Sequence, residues 1–227
     1  MDLITVLPNL HLLRFHVGQA YLWCDAESLT LVDTGPAGSA PAIAEAVRSL
    51  GSPGDVQRIV ITHGHDDHTG GATEAASWGG AQILAGKGDA AVIRGELPAP
   101  PPVLADWEAE LRAGIPLPPP VAPVRVDREL EDGDTIELAG GAQVFAVPGH
   151  TDGSIALYLP GPRVLFTGDT IANVGGRTML GVFNTDTGRA AESLHRLSRL
   201  DTATACFGHG EAIVEGAAER LRQVAGA

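Results

Sequence analysis

The sequence predicts a mixed α/β layered fold, and three observations carry that prediction. Short β-rich runs bounded by Gly, Pro and Asp recur along the chain. Helical patterns lie between them, yet consecutive strand runs occur in both halves, which argues against a simple doubly wound sheet. The 227 residues are 44% hydrophobic, and a chain of this length buries roughly 70% of its unfolded surface without staples. A single domain over 1–227 is the expected organisation.

Taken in order, the strand runs are Leu3–Leu7, Leu12–Val17, Leu29–Asp33, Arg58–Thr62 and Gln82–Ala85. They resume at Thr135–Leu138, Gln143–Val147, Ile155–Leu159, Val164–Thr167 and Thr204–Phe207. Ser39 is a candidate N-cap for a helix with Ile43, Ala46, Val47 and Leu50 on one face, stopped by Gly51. Thr187 to Leu200 places Ala190, Leu194, Leu197 and Leu200 on a second stripe. A C-terminal pattern uses Ile213, Val214, Ala217, Leu221 and Val224.

Leu97–Pro123 interrupts this alternation. It holds nine of the sixteen prolines, too many for a central strand, so it is a surface excursion. Val103–Ala113 within it has the pattern of a short helix with Leu104, Trp107 and Leu111 on one side. Two readings stay open: a rigid connection whose helix caps the core, with Trp107 packed inward, or a lid offering Trp107 to substrate. Val174–Phe183 is a second candidate for substrate contact, through Met179 and Phe183.

Composition excludes several functions. Fifteen basic residues against twenty-eight acidic ones give a net charge of −13, without the basic stripe that nucleic-acid binding requires. No apolar run reaches the roughly 18 residues of a membrane span. The N-terminus lacks the basic n-region of a signal peptide, so a cytoplasmic location is the expectation. Cys24 and Cys206 form no CxxC pair and read as free thiols.

The chemistry concentrates in Val60-Ile61-Thr62-His63-Gly64-His65-Asp66-Asp67-His68-Thr69-Gly70-Gly71. An apolar strand runs directly into three histidines and two aspartates, the donor types of Zn, Fe and Mn sites. Alternation on an extended strand end would send His63 and His65 to one side, with Asp67 and His68 at the following turn. Three more segments each place one such residue just past a strand, with glycine beside it: Pro148-Gly149-His150, Gly168-Asp169-Thr170 and Gly208-His209-Gly210. His11, His16 and His195 lie in a hairpin or on the polar side of a helix and are not expected to ligate.

The pattern His63-x-His65-x-Asp67-His68, followed by His150, Asp169 and His209, resembles the metallo-β-lactamase-fold superfamily. The resemblance covers nearly the whole chain, from Leu31-Val32-Asp33-Thr34-Gly35 to Gly208-His209-Gly210. It implies a four-layer αββα sandwich with metals at one edge of the paired sheets. It also implies that His63, His65 and His150 bind a first metal, Asp67, His68 and His209 a second, and that Asp169 bridges both. Asp33 resembles the aspartate that supports such a site without ligating, as histidine ligands require an orienting partner at the far ring nitrogen.

Two divalent cations, zinc first with iron or manganese as alternatives, imply a bridging hydroxide that attacks an ester-like carbonyl of a small molecule. The resemblance gives Asp67 a part in proton handling. Thioester, lactone, β-lactam and phosphoester stay open as substrates. The chain looks closest to small glyoxalase II-like hydrolases, although only about eighteen residues follow His209, one helix, where hydroxyacylglutathione hydrolases add a helical domain. The alternatives are an iron-dependent persulfide dioxygenase of the same fold, a true β-lactamase, or a metal-binding protein without catalysis. The complete second-site set favours the two-metal hydrolase.

Overall fold

The computed structural model describes residues 1–116 and 118–226. Its internal contacts divide it into two compact units, Met1–Pro98 with Pro118–Leu130, and Ala99–Leu117 with Glu131–Ala227.

The first unit is built on a seven-stranded sheet whose spatial order follows the sequence. β1 (Asp2–Leu7), β2 (Leu10–Arg14), β3 (Gln19–Cys24) and β4 (Leu29–Val32) form an antiparallel meander. From β4 onward, β5 (Val56–Ile61), β6 (Gln82–Gly86) and β7 (Arg128–Leu130) add in parallel. Parallel neighbours need long crossovers. Here these contain α1 (Ala40–Leu50), then α2 (Asp66–Thr69) with α3 (Ala72–Ser77), then α4 (Lys87–Ile93).

The apolar stripe of α1 buries Ile43, Ala46 and Val47 in a core shared with Leu22, Leu31, Ile59, Ile61 and Ile83. Gly51 ends the helix, its amide donating to the Val47 carbonyl at 2.8 Å. Ser39 occupies the N-cap position but does not cap with its side chain. Its hydroxyl donates instead to the Thr34 carbonyl, and Pro41 pre-sets the first turn.

The second unit contains α5 (Asp106–Ala113) and a five-stranded sheet in the order β14-β11-β10-β9-β8. β8 (Thr135–Ile136), β9 (Ala142–Ala146), β10 (Ile155–Leu159) and β11 (Val164–Phe166) run antiparallel. A hairpin of β12 (Ile171–Val174) and β13 (Arg177–Leu180) follows, then α6 (Thr187–Leu197). β14 (Thr204–Cys206) returns parallel to β11, and α7 (Ala217–Ala225) closes the described chain. Leu165, Leu194, Leu197, Phe207 and Leu221 pack together in its core. Asp186 caps α6 by accepting from the Arg189 amide at 3.0 Å.

Several elements differ from the sequence expectation. The helix of the Pro-rich excursion begins at Asp106, three residues after Val103. Ile213 and Val214 lie outside α7; Ile213 exchanges backbone hydrogen bonds with Ala205 at 2.9 Å in each direction, extending the strand region. The inward-packed reading of Trp107 is overturned, because the residue is 53% exposed while Glu108 beside it is 6% exposed. Among the described residues no helix is long and apolar enough to cross a membrane.

Candidate metal centre

In the first unit, four donor residues follow β5. The strand ends at Ile61, so His63 and His65 lie in a bend beyond it, and extended-strand alternation is not what brings them together. A buried carboxylate shapes the bend instead: Asp89 of α4 accepts from the Gly64 amide at 2.8 Å. With the intervening residue fixed, His63 Nε2 and His65 Nδ1 lie 3.1 Å apart. His68 is buried within α2, and its Nε2 is 3.7 Å from Asp67 Oδ2.

Asp33 organises the imidazoles. It stands just past β4 in the left-handed region, φ +61°, with its amide donating to the Val60 carbonyl at 2.8 Å. Asp33 Oδ1 accepts from the Thr62 amide at 2.7 Å, and Oδ2 accepts from the Thr62 hydroxyl at 2.8 Å. His68 Nδ1 donates to the same Oδ2 at 2.9 Å. Because the Thr62 hydroxyl spends its proton on Asp33, His63 Nδ1 at 3.1 Å must donate to that hydroxyl oxygen. One carboxylate thus fixes two tautomers, leaving Nε2 of both His63 and His68 as lone-pair donors.

The segment is also held from outside. Thr34 donates its amide and its hydroxyl to the His68 carbonyl, at 2.8 and 2.9 Å. Gly18, at φ +64°, lies so close to Asp67 that a Cβ there would fall 2.3 Å from the Asp67 carbonyl oxygen. Asp66, the member of the motif outside the ligand pattern, accepts from the Val121 amide at 3.1 Å. It anchors the end of the Pro-rich excursion.

In the second unit, three post-strand segments converge. His150 Nε2 lies 3.6 Å from Asp169 Oδ2, and His209 Nε2 lies 3.1 Å from the same oxygen. Close backbone approach makes this possible: a Cβ at Gly149, φ +131°, would sit 2.1 Å from the Ala190 amide nitrogen. Asn173 of β12 donates its amide to the His209 carbonyl at 3.1 Å and its side chain to the Glu211 carbonyl at 2.7 Å, fixing the loop after β14.

The donor set is nitrogen and oxygen throughout, which suits Zn, Fe or Mn. Two imidazole nitrogens on one tetrahedral zinc stand about 3.3 Å apart, by the usual Zn–N length of about 2.0–2.1 Å. The 3.1 Å between His63 and His65 matches that spacing, so the residues present fit a cation.

The remaining sequence candidates are placed as follows. Met179 is half-buried on β13 opposite Ala172, and Phe183 is half-buried in the loop before α6. His16 and His195 are exposed. His11 is buried against Thr5, and burial holds its pKa below the ordinary histidine value. Cys206 is buried in β14, and neither cysteine forms a disulfide. Sequence reading missed Thr62, Asp89 and Asn173. Thr62 adjoins the motif and could have been found by asking what orients His63; Asp89 and Asn173 carry no local signal.

Fold and donor chemistry together define a metal-binding protein of mixed α/β architecture. Residues 13–209 match the metallo-beta-lactamase superfamily, and the chain belongs to it. A probable metallo-hydrolase of Bacillus subtilis is 28% identical over 89% of this chain and 84% of its own. A hydroxyacylglutathione hydrolase of Acidiphilium cryptum is 32% identical over 81% of this chain. The present chain spans 61% of that relative's length. Among solved structures, a mutant metallo-beta-lactamase from Cronobacter sakazakii superposes with a TM-score of 0.72. It is 22% identical, over 92% of this chain and 80% of that one, a likeness of fold.

Proposed function

We propose that this hydrolase holds two divalent cations, zinc first, and cleaves an ester-like bond of a small molecule. A thioester is the leading substrate class. The observation that carries the two-metal reading is Asp169 Oδ2, one carboxylate oxygen faced by imidazoles from two different segments, at 3.1 and 3.6 Å. An oxygen so placed suits a carboxylate shared between two cations. In this reading His63, His65 and His150 hold one cation, and Asp67, His68 and His209 hold the other.

When bound, the cations supply a water of lowered pKa and a Lewis acid for the carbonyl. The chain's own residues do the rest. Asp33 presents the ligating face of His68 directly and that of His63 through the Thr62 hydroxyl. Asp67, half-buried at the start of α2, has a second carboxylate oxygen with which to take a proton from the attacking water. Asp89 keeps His63 and His65 in step by holding the amide between them.

The thioester preference follows the name of the hydroxyacylglutathione hydrolase relatives, which this chain matches over about three fifths of their length. The test is metal content of protein purified without added metal, followed by a panel of thioester, lactone and β-lactam substrates. Two zinc per chain and fastest turnover of a thioester are expected. One iron per chain with oxygen consumption on a persulfide would replace this reading with the redox one.

A further inference from the structure

Helix α5 is fastened by a side chain that the proposed reaction does not use. Glu108 is 6% exposed, although it sits on a surface helix between exposed Trp107 and Leu111. Its two oxygens take different backbone amides. Oε2 accepts from Ala105 at 2.9 Å, closing the first turn of the helix, and Oε1 accepts from Phe183 at 3.0 Å. One turn further along, the Arg112 guanidinium lies 5.6 Å from the centroid of the Phe183 ring, within cation–π range. The Val103 amide donates to the Asn184 carbonyl at 2.9 Å beside them. The excursion therefore grips both the backbone and the ring of one residue.

That residue holds a conformation that bulky side chains rarely adopt, φ +61°. Such a backbone persists only where its surroundings over-determine it. The loop carrying it is tied at both ends to segments bearing donor residues. The Gly181 amide donates to the Thr170 carbonyl at 3.0 Å, and a Cβ at Gly181 would lie 1.7 Å from the Asp169 carbonyl oxygen. At the other end, the Thr185 amide donates to the His150 carbonyl at 3.2 Å and the Asp186 amide to the Gly149 carbonyl at 2.9 Å. Phe183 stands between these two ties.

We propose that Glu108 is a positioning residue for substrate selection. Its buried carboxylate locks Phe183 in the left-handed conformation on the loop before α6, which is tied at its two ends to the segments that carry Asp169 and His150. The Phe183 ring is then a fixed wall for an aryl or branched apolar group on the substrate, and the excursion serves as a brace for that wall. This inference rests on the two-metal reading above.

The test uses zinc-loaded protein and calorimetric titration with mercaptoacetate and its α-benzyl analogue, whose thiolates are soft ligands for zinc. The wild type is expected to prefer the benzyl compound by about tenfold, the scale of one aromatic contact. Glu108→Gln keeps the shape but turns an amide N–H toward one of the two backbone donors. It should cut the preference below about threefold while mercaptoacetate affinity and zinc content hold, a selective loss of the aromatic contact. Amide exchange at Ala105 and Phe183 should rise about tenfold or more, reporting local opening. Phe183→Gly, which relieves the strain and removes the ring, should lose the same preference, and the double variant should lose no more. Equal weakening of both thiols by Glu108→Gln, or a preference retained in either single variant, overturns the proposal alone. One zinc per chain in the loaded wild type overturns the two-metal reading and this inference with it, and binding of neither thiol to protein that holds two zinc overturns the inference alone.

Discussion

Asp33 and His68 are thirty-five positions apart in the chain and joined by a hydrogen bond of 2.9 Å. Asp33 also reaches His63 through Thr62, so one carboxylate sets the orientation of two imidazoles. Asn at position 33 tolerates the left-handed backbone but turns an N–H toward groups that are themselves donors. Asp33→Asn should therefore bind zinc about 10–100-fold more weakly, the usual cost of losing an orienting partner. Competition with a metallochromic chelator measures it; an unchanged affinity would show that the tautomers are set elsewhere.

Metal stoichiometry is the most direct check on the donor sets. About two zinc per chain are expected, and His209→Ala should retain about one. Stripping with a chelator should lower the Tm and zinc should restore it, because a ligand that binds only the folded state stabilises it. Elemental analysis that finds one metal in both wild type and variant would falsify the two-site reading.

Asp169→Asn removes the negative charge that a shared carboxylate contributes between two cations. The expected result is loss of at least one zinc and a fall in kcat of about 100-fold or more, comparable to losing a preorganised electrostatic contact. Turnover at the wild-type rate with both metals in place would rule out a bridging role for this residue.

Trp107 offers a different contrast. Because Trp107 is 53% exposed, Trp107→Ala should change stability by no more than about 0.5 kcal/mol. The about 3–5 kcal/mol expected of a buried aromatic does not apply. Thermal unfolding of metal-loaded protein reads the difference, and KM for a hydrophobic thioester, measured on the same sample, shows whether the indole also contacts substrate.

The pH prediction concerns Asp132. The Arg196 guanidinium, bound through two hydrogen bonds of 2.7 and 3.0 Å, lowers the Asp132 pKa below its ordinary value, opposed by burial and helped by the Ala146 amide. A depressed carboxylate contributes stability above its unfolded-state pKa, and that contribution is lost as pH falls through the folded value. The pair is nearly half exposed, so screening limits its worth to about 0.5–1 kcal/mol. Asp132→Asn should lower the Tm slightly at pH 7 and show no difference once the pH is well below the ordinary carboxylate range. An equal deficit at both pH values would assign the loss to geometry.

How much was legible in the sequence depended on whether the signal was local. His63, His65, Asp67 and His68 were readable because four donors crowd into six positions, and His150, Asp169 and His209 because each follows an apolar run and a glycine. The α1 stripe was readable for the same kind of reason. β3 has no bounds in the sequence reading because Gln19–Trp23 is buried throughout, so no alternation marks where it begins and ends. The β12–β13 hairpin had a signal that went unused: Gly175-Gly176, both at positive φ, is the composition of a tight two-residue turn. Asp89 and Glu108 accept from backbone amides 25 and 75 positions away, and Asn173 donates to a backbone carbonyl 38 positions away; a single sequence contains nothing that pairs residues over such distances.

The order of the seven-stranded sheet bears on how the chain folds during synthesis. Each strand there lies beside its sequence predecessor, so the sheet can grow one strand at a time as residues emerge, with loop-closure costs spread over small steps. The five-stranded sheet is different, because β14 must return to β11 across α6. His209 follows that last strand, so the final donor arrives only after the rest have been made. Ribosome-stalled chains ending before Thr204 should therefore protect the early strands from protease while binding metal less completely than the released protein.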